Sequence, residues 1–347
     1  MSHHLEIVDL TTRPELARAW DDYVLGSPAG TPFHLQAWGR ALSRCYPYHA
    51  CSCLALEGGQ VRGVLPLFHV RLLPFGRALL STPLAVYGGV CADRDDVGLA
   101  LMEHTGALAR RRSVKYVEYR HRATLGSLPV KDLYYTFRKE IFADPEKNLA
   151  AIPRKQRRMV RQGEKHGLQS TVGGTELLDA FYGVYAHSVR NLGTPVFPKA
   201  WFAALLTEYG SACKILAVTR ESETIAAVMS FFFRDEVLPY YGGALKSSFQ
   251  YAANDFMYWN LVCYAGSHGS RVFDFGRSKK ETGPFEFKRH WGFEPSLLPY
   301  QYDLVTASSI PDFSPKNSSF SLPIMVWKRL PLPIATWLGP KVIRYFP

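Results

Sequence analysis

The sequence predicts an α/β protein in which one domain of mixed strands and helices occurs twice. Three observations point there. The chain is long and apolar enough for two cores, with 347 residues of which 47% are hydrophobic and 20% charged. Apolar residues switch repeatedly between helical spacing and short β-rich runs, as layered sheet and helix require. Four short pieces of the first half also recur, in order, in the second.

The recurring pieces are Thr31-Pro-Phe-His-Leu-Gln-Ala-Trp38 with Thr194-Pro-Val-Phe-Pro-Lys-Ala-Trp201, and Cys53-Leu-Ala-Leu56 with Ile215-Leu-Ala-Val218. Tyr87-Gly-Gly-Val90 matches Tyr241-Gly-Gly-Ala244, and Tyr116-Val-Glu-Tyr-Arg120 matches Val272-Phe-Asp-Phe-Gly-Arg277. A single echo arises by chance, but four at nearly constant separation indicate duplication. The expected domains are 1–145, then 146–306 with a basic connecting helix, then a linker and amphipathic tail over 307–347.

In the second copy, 177–189 and 199–209 carry apolar residues at helical spacing, whereas 214–219, 224–234 and 237–241 are β-rich runs separated by short polar turns. An amphipathic helix over 253–268 stops at Gly269, followed by a strand over 271–275, a helix over 284–291 and a last strand near 300–305. In the first copy the meander falls at 49–56, 61–70 and 77–82, with Glu57-Gly-Gly-Gln60 as a hairpin turn. This order is similar to the Gcn5-related N-acetyltransferase (GNAT) fold, which implies tandem GNAT-like (acyl-CoA N-acyltransferase-like) domains with mixed sheets flanked by helices.

Lys and Arg number 41 against 30 Asp and Glu, so the formal charge of +11 favours anionic partners without choosing among phosphates, nucleic acid and acidic lipid. Cys45, Cys51, Cys53, Cys91, Cys213 and Cys263 form no CxxC pair and no zinc spacing, and read as reduced thiols of a cytoplasmic protein. The N-terminal stretch lacks an apolar core flanked by basic residues, which argues against a secretory signal.

Between the copies lies IPRKQRRMVRQGEKHGL, with Pro153 suited to a first helical turn and Gly167 to a stop. Arg154, Arg157, Arg158, Arg161 and Lys165 follow i, i+3, i+4, i+7 and i+11 and therefore share one face. A solvated charged face is the ordinary fate of such a run. Like charges three and four apart nevertheless repel by about 0.2–0.5 kcal/mol per pair, so the pattern suits a helix that meets phosphate, which Arg forks grip in pairs.

Phe285-Glu-Phe-Lys-Arg-His-Trp-Gly292, Tyr240-Tyr-Gly-Gly-Ala244, Asp274-Phe-Gly-Arg-Ser278 and the basic helix together resemble the FemAB-like transferases. These are tandem acetyltransferase-fold proteins, and the best-known members add amino acids from aminoacyl-tRNA to peptidoglycan precursors. The likeness spans about residues 1–305 and is nearest to the branch found with exosortase/PEP-CTERM exopolysaccharide gene clusters. It implies that Lys288 stabilises the oxyanion of acyl transfer and that Phe287 positions the donor. It further implies that Tyr240 or Tyr241 contacts the acceptor's phosphate or sugar and that Arg190 binds the acceptor. The family's other acceptor-binding lysine has no match around Trp38, which departs from a nucleotide-sugar pentapeptide acceptor.

The residues themselves allow blander roles. Lys288 snorkelling from an amphipathic helix among core Phe285, Phe287 and Trp291 is one. Core tyrosines at 240 and 241 are another, although a Gly242-Gly243 step lets backbone approach a ligand closely. Asp274 and Arg277 stand at the C-terminal end of a strand, where open α/β sheets place ligand contacts. Asp274 is the expected general base, or else a scaffold carboxylate paired with Arg277 or Lys279.

No Arg/Gln-x-x-Gly-x-Gly/Ala turn precedes Asn254 or Val97, which disfavours acetyl-CoA as donor and leaves aminoacyl-tRNA or an acyl thioester on carrier protein. The tail LPIMVWKRLPLPIATWLGPKVIRYF mixes Trp327 and Trp337 with four basic residues and no acid, interrupted by prolines. It suits peripheral contact through 322–346 with an anionic bilayer at the inner face of the bacterial inner membrane, or packing back on the first domain, but not a spanning helix.

The sequence thus predicts an enzyme transferring an aminoacyl or acyl group to an amine on an amino-sugar or peptide acceptor, a cell-envelope or exopolysaccharide precursor. Direct displacement is expected, with no cofactor and no metal. The alternative from another class is a non-catalytic assembly factor that binds an anionic polymer or nucleic acid.

Overall fold

The computed structural model describes residues 4–73, 76–311 and 321–346. The chain begins with β1 (Leu5–Asp9), α1 (Ala17–Gly26), α2 (Gln36–Cys45), β2 (His49–Ala50), β3 (Cys53–Glu57), β4 (Gln60–Leu65), β5 (Phe68–Leu72), β6 (Gly76–Leu80), β7 (Cys91–Ala92), α3 (Asp95–Arg111) and β8 (Tyr116–Tyr119). It continues with β9 (Val130–Glu140), α4 (Pro145–Ala150), α5 (Arg154–Lys165), β10 (Gln169–Gly173), α6 (Leu178–Leu192), α7 (Lys199–Tyr209), β11 (Cys213–Arg220), β12 (Glu223–Phe233) and β13 (Glu236–Ala244). The last elements are α8 (Ala253–Ser267), β14 (Val272–Asp274), β15 (Ser278–Lys279), α9 (Gly283–His290), β16 (Pro295–Leu304), α10 (Ser321–Trp327) and α11 (Leu332–Ile343).

Two compact units result, one of residues 1–134, 297–312 and 344–347, the other of 135–296 and 313–343. The division falls inside β9, ahead of the expected 145/146, and residues 297–306 sort with the first unit rather than the second. The reason is pairing: β16 runs antiparallel to β8 with Gln301 opposite Tyr119 and Leu304 opposite Tyr116. Helical and strand periodicity marks elements, but not the sheet that will claim them.

In the first unit, β1, β3, β4 and β7 form one sheet, and β8 lies among β16, β6, β5 and β2 in another. The β3–β4 hairpin turns at Gly58 and Gly59, whose φ of 59° and 77° suit a two-residue primed turn. The expected single strands 49–56 and 61–70 are each broken in two. The Leu67 amide bonds the Ser52 hydroxyl at 3.0 Å, and Pro66 has no N–H to give a ladder, so the chain changes sheets there. The core gathers Ala55, Leu65, Leu79, Leu101, Val117 and Tyr119.

In the second unit the sheet order is β10-β11-β12-β13-β14-β9. The antiparallel meander β11–β12–β13 matches the sequence reading closely, because its runs are long and bounded by polar turns. Phe137, Phe256, Met257, Phe273, Phe275 and Trp291 are the centre of its core. Tyr185, Phe202 and Tyr241 meet edge to face, joining α6, α7 and β13. The tail helices also belong to this unit, α11 packing on α6, whereas the residues after α11 sort with the first unit, where the Tyr48 hydroxyl donates to the Arg344 carbonyl at 2.8 Å. The expected linker over 312–320 lies outside the described residues. No described helix is long and apolar enough to cross a membrane.

None of the six cysteines forms a disulfide. Burial pushes the Cys51 and Cys53 thiols up to about 12.

Candidate active site

β13 and β14 run parallel and pair at Glu236↔Val272 and Val237↔Phe273. Beyond those pairs β13 continues to Ala244 while β14 ends at Asp274. The parallel ladder therefore ends there, at the C-terminal end of a strand, the usual place for ligand contacts in an α/β sheet. In the first unit the corresponding pieces are tied together: the Gly89 amide bonds the Arg120 carbonyl at 3.2 Å, and a Cβ on Gly89 would stand 1.9 Å from the His121 ring.

α9 brings Lys288 to the end of the second unit's parallel ladder. Pro284 in its first turn and Glu286 behind it favour the N-terminus, Lys288, Arg289 and His290 complement the C-terminal dipole, and Gly292 at φ 76° ends the helix. Phe285, Lys288 and Trp291 all point inward. Phe285 meets Phe137 edge to face at 5.1 Å, which anchors the helix.

The Lys288 ammonium lies 2.7, 3.1 and 3.2 Å from the backbone carbonyls of Phe275, Gly276 and Arg277. Its three protons thus meet three acceptors in the turn that follows β14. The charge also sits 5.3 Å from the Phe137 ring centre. Burial pushes the amine down to about 7, against the pull of Asp274 and assisted by Arg277. If the ammonium form carries activity, kcat/KM should fall as pH rises through about 7, because the charged fraction is lost there. Lys288→Arg should move that limb out of the measurable range, since a guanidinium stays charged.

Asp274 is fully buried. One oxygen accepts the Gly276 amide at 2.7 Å and the Thr136 hydroxyl at 3.3 Å, and the other lies 3.5 Å from Arg138. Arg138 also pairs with Glu236. The carboxylate thereby shapes the turn under Lys288, with Arg138 as a partner. Thr136 and Arg138 come from β9, and the sequence carried no local signal for them because the pairing is non-local.

Phe287 is half-buried and packs against Tyr258, Trp291 and Phe275. The Tyr241 hydroxyl accepts the Trp201 indole N–H at 3.0 Å, which makes Tyr241 a core residue, while Tyr240 is half-buried against Phe231. A Cβ on Gly243 would stand 2.5 Å from Ser188, so the glycine lets α6 lie close to the strand. Arg190 faces the tail, its guanidinium 3.4 Å from the Lys328 carbonyl. The Arg277 carbonyl caps Lys288, and its side chain is half-buried.

The basic face is formed as read. Arg154, Arg157, Arg158, Arg161 and Lys165 line an open recess of about 700 Å³ together with Gln162. Among the described residues none of the five has a carboxylate within ion-pair distance. The opposite face of α5 buries Gln156, Val160 and Gly163 against α8. The Asp255 carboxylate accepts both the Gln156 amide at 3.3 Å and the Trp291 indole N–H at 3.0 Å, which links α5, α8 and α9. An acid directly before the Phe256-Met-Tyr-Trp259 run was the available clue. A Cβ on Gly163 would stand 2.7 Å from the Phe256 Cβ. Gly163→Val should therefore push α5 from α8 and destabilise by about 1–3 kcal/mol, read as a lower denaturation midpoint.

Residues 152–289 match the family described as "Acetyltransferase (GNAT) domain". That segment is a GNAT acetyltransferase domain. It carries α5, the parallel ladder and Lys288, and it makes the chain an acyltransferase. Solved structures extend the likeness of fold to both units. A FemX crystal structure is 14% identical with a TM-score of 0.70, covering 87% of this chain and 98% of that one. A C-terminal domain (DUF2156) from a protein described as a lysylphosphatidylglycerol synthetase, from Agrobacterium fabrum, is 13% identical, covering 95% and 99% with a TM-score of 0.59. A tandem GNAT protein from the clavulanic acid biosynthesis pathway is 15% identical, covering 88% and 100% with a TM-score of 0.53. The GNAT-like fold is thus present in tandem. No match was found among curated protein sequences.

Proposed function

We propose that the second unit transfers an aminoacyl or acyl group to an amine on a cell-envelope or exopolysaccharide precursor of the exosortase/PEP-CTERM kind. The reaction would take place at the inner face of the bacterial inner membrane. The donor is aminoacyl-tRNA or an acyl thioester on carrier protein, held through its phosphates by the α5 face. The observation that carries this reading is the buried ammonium of Lys288 at the C-terminal end of β14, inside the GNAT domain.

The amine nitrogen attacks the acyl carbon, and negative charge builds on the acyl oxygen. Lys288 exchanges one of its carbonyl partners, the longest being Arg277 at 3.2 Å, for that oxygen. The C–O or C–S bond then breaks, the nitrogen releases its proton to solvent, and the leaving RNA oxygen or sulfur takes a proton from solvent to depart as hydroxyl or thiol. Asp274 has no part in the proton transfer, while Phe287 and Tyr240 border the acyl and acceptor groups.

One observation favours another reading. All three Lys288 protons are already engaged by the chain's own carbonyls, as they would be in a non-catalytic binder of anionic polymer. Mass spectrometry of the envelope glycan separates the two: cells lacking the protein should lose an amide-linked substituent if the chain is a transferase, and a binder leaves the glycan's composition unchanged.

A further inference from the structure

We propose that the outward surface of α10 and α11 docks on an anionic lipid bilayer. The tail is fixed, not loose. Ala335, Gly339 and Ile343 recur every fourth residue and are buried, and a Cβ on Gly339 would stand 2.5 Å from the Val196 carbonyl oxygen. α10 is held likewise, with Trp327 buried and Ile324 against Gly193 at the end of α6.

The other side of these helices presents large apolar groups to solvent. Trp337 is 64% exposed, Val326 53%, Met325 48% and Ile334 45%, and Leu192, next to Gly193, is 65% exposed. Lys328, Arg329 and Lys341 are exposed beside them, and residues 321–346 contain no Asp or Glu. The Lys341 ammonium stands 3.5 Å from the Trp337 ring centre. An indole and aliphatic groups among unopposed cations is the composition that enters a headgroup layer, and with no described helix able to span, the surface lies on the bilayer.

Charge decides against other occupants. A second copy related by a two-fold axis would set Lys328, Arg329 and Lys341 against like charges with no acid between them. A nucleic-acid backbone offers the exposed Met, Val and Ile nothing to bury against. The inference extends the membrane location in the proposed function, but vesicle binding is read without substrate.

The test is co-sedimentation of the full chain with phosphatidylcholine vesicles, with and without phosphatidylglycerol. Binding is expected only with phosphatidylglycerol and should weaken as salt rises. Arg329→Glu with Lys341→Glu should reduce it about 25-fold or more, roughly fivefold per cation. Trp337→Ser should also weaken it with circular dichroism and melting unchanged. Three results would overturn the proposal: a chain left in the supernatant, equal binding to both vesicles, or a concentration-dependent dimer that Trp337→Ser dissolves. Acyl transfer to a soluble amine should survive all three substitutions. Its absence from the unsubstituted chain would count against the proposed activity and leave the vesicle result standing.

Discussion

Lys288→Met should lower kcat for acyl transfer by about 100–1,000-fold while leaving donor affinity within about twofold, as loss of one oxyanion donor does elsewhere. Methionine keeps the volume and the unbranched stem but offers no proton. Phe285 and Trp291 should continue to anchor α9 through the core. The Phe275–Arg277 turn loses its cation yet keeps the Asp274 carboxylate on the Gly276 amide. Single-turnover kinetics with separate donor titration reads the split. A matching loss of donor binding would instead mean that Lys288 serves only the shape of the turn, and a binder without chemistry would show no rate to lose.

Arg157→Gln with Arg161→Gln should have the second largest effect, on donor capture. Both side chains line the α5 recess, and the packing of α5 on α8 runs through the opposite face, so the fold should persist. If the donor is RNA, each lost phosphate contact removes about 0.7–0.9 from the slope of log K against log salt, so the double variant should flatten that slope by roughly 1.5. Affinity for an RNA hairpin should fall by about 10–100-fold at low salt. An unchanged hairpin titration together with weakened carrier-protein binding would assign the face to the thioester donor.

The sequence told most where the signal was local. The α5 face could be counted because all its residues ride one helix, and α7 was bounded by Pro198 and Gly210. The second meander was legible from alternation and polar turns. The first was misread because Ser52 and Pro66 move the chain between sheets without interrupting its apolar run. Lys288 stood out by type among aromatics, yet its carbonyl partners are backbone groups that no side-chain pattern announces. Asp274 showed the same limit. Its role depends on Thr136 and Arg138, which reach it only once β9 pairs with β14. Likewise no local pattern announces that Gly243 makes room for Ser188 on α6.

The account rests on an acyl oxygen meeting the Lys288 ammonium. A crystal structure with a hydrolysis-resistant acyl-donor analogue tests this most directly. The oxygen should lie about 2.7–3.2 Å from Nζ, in place of one of the turn's carbonyls. An analogue bound elsewhere, with all three carbonyl contacts of Lys288 intact, would contradict it.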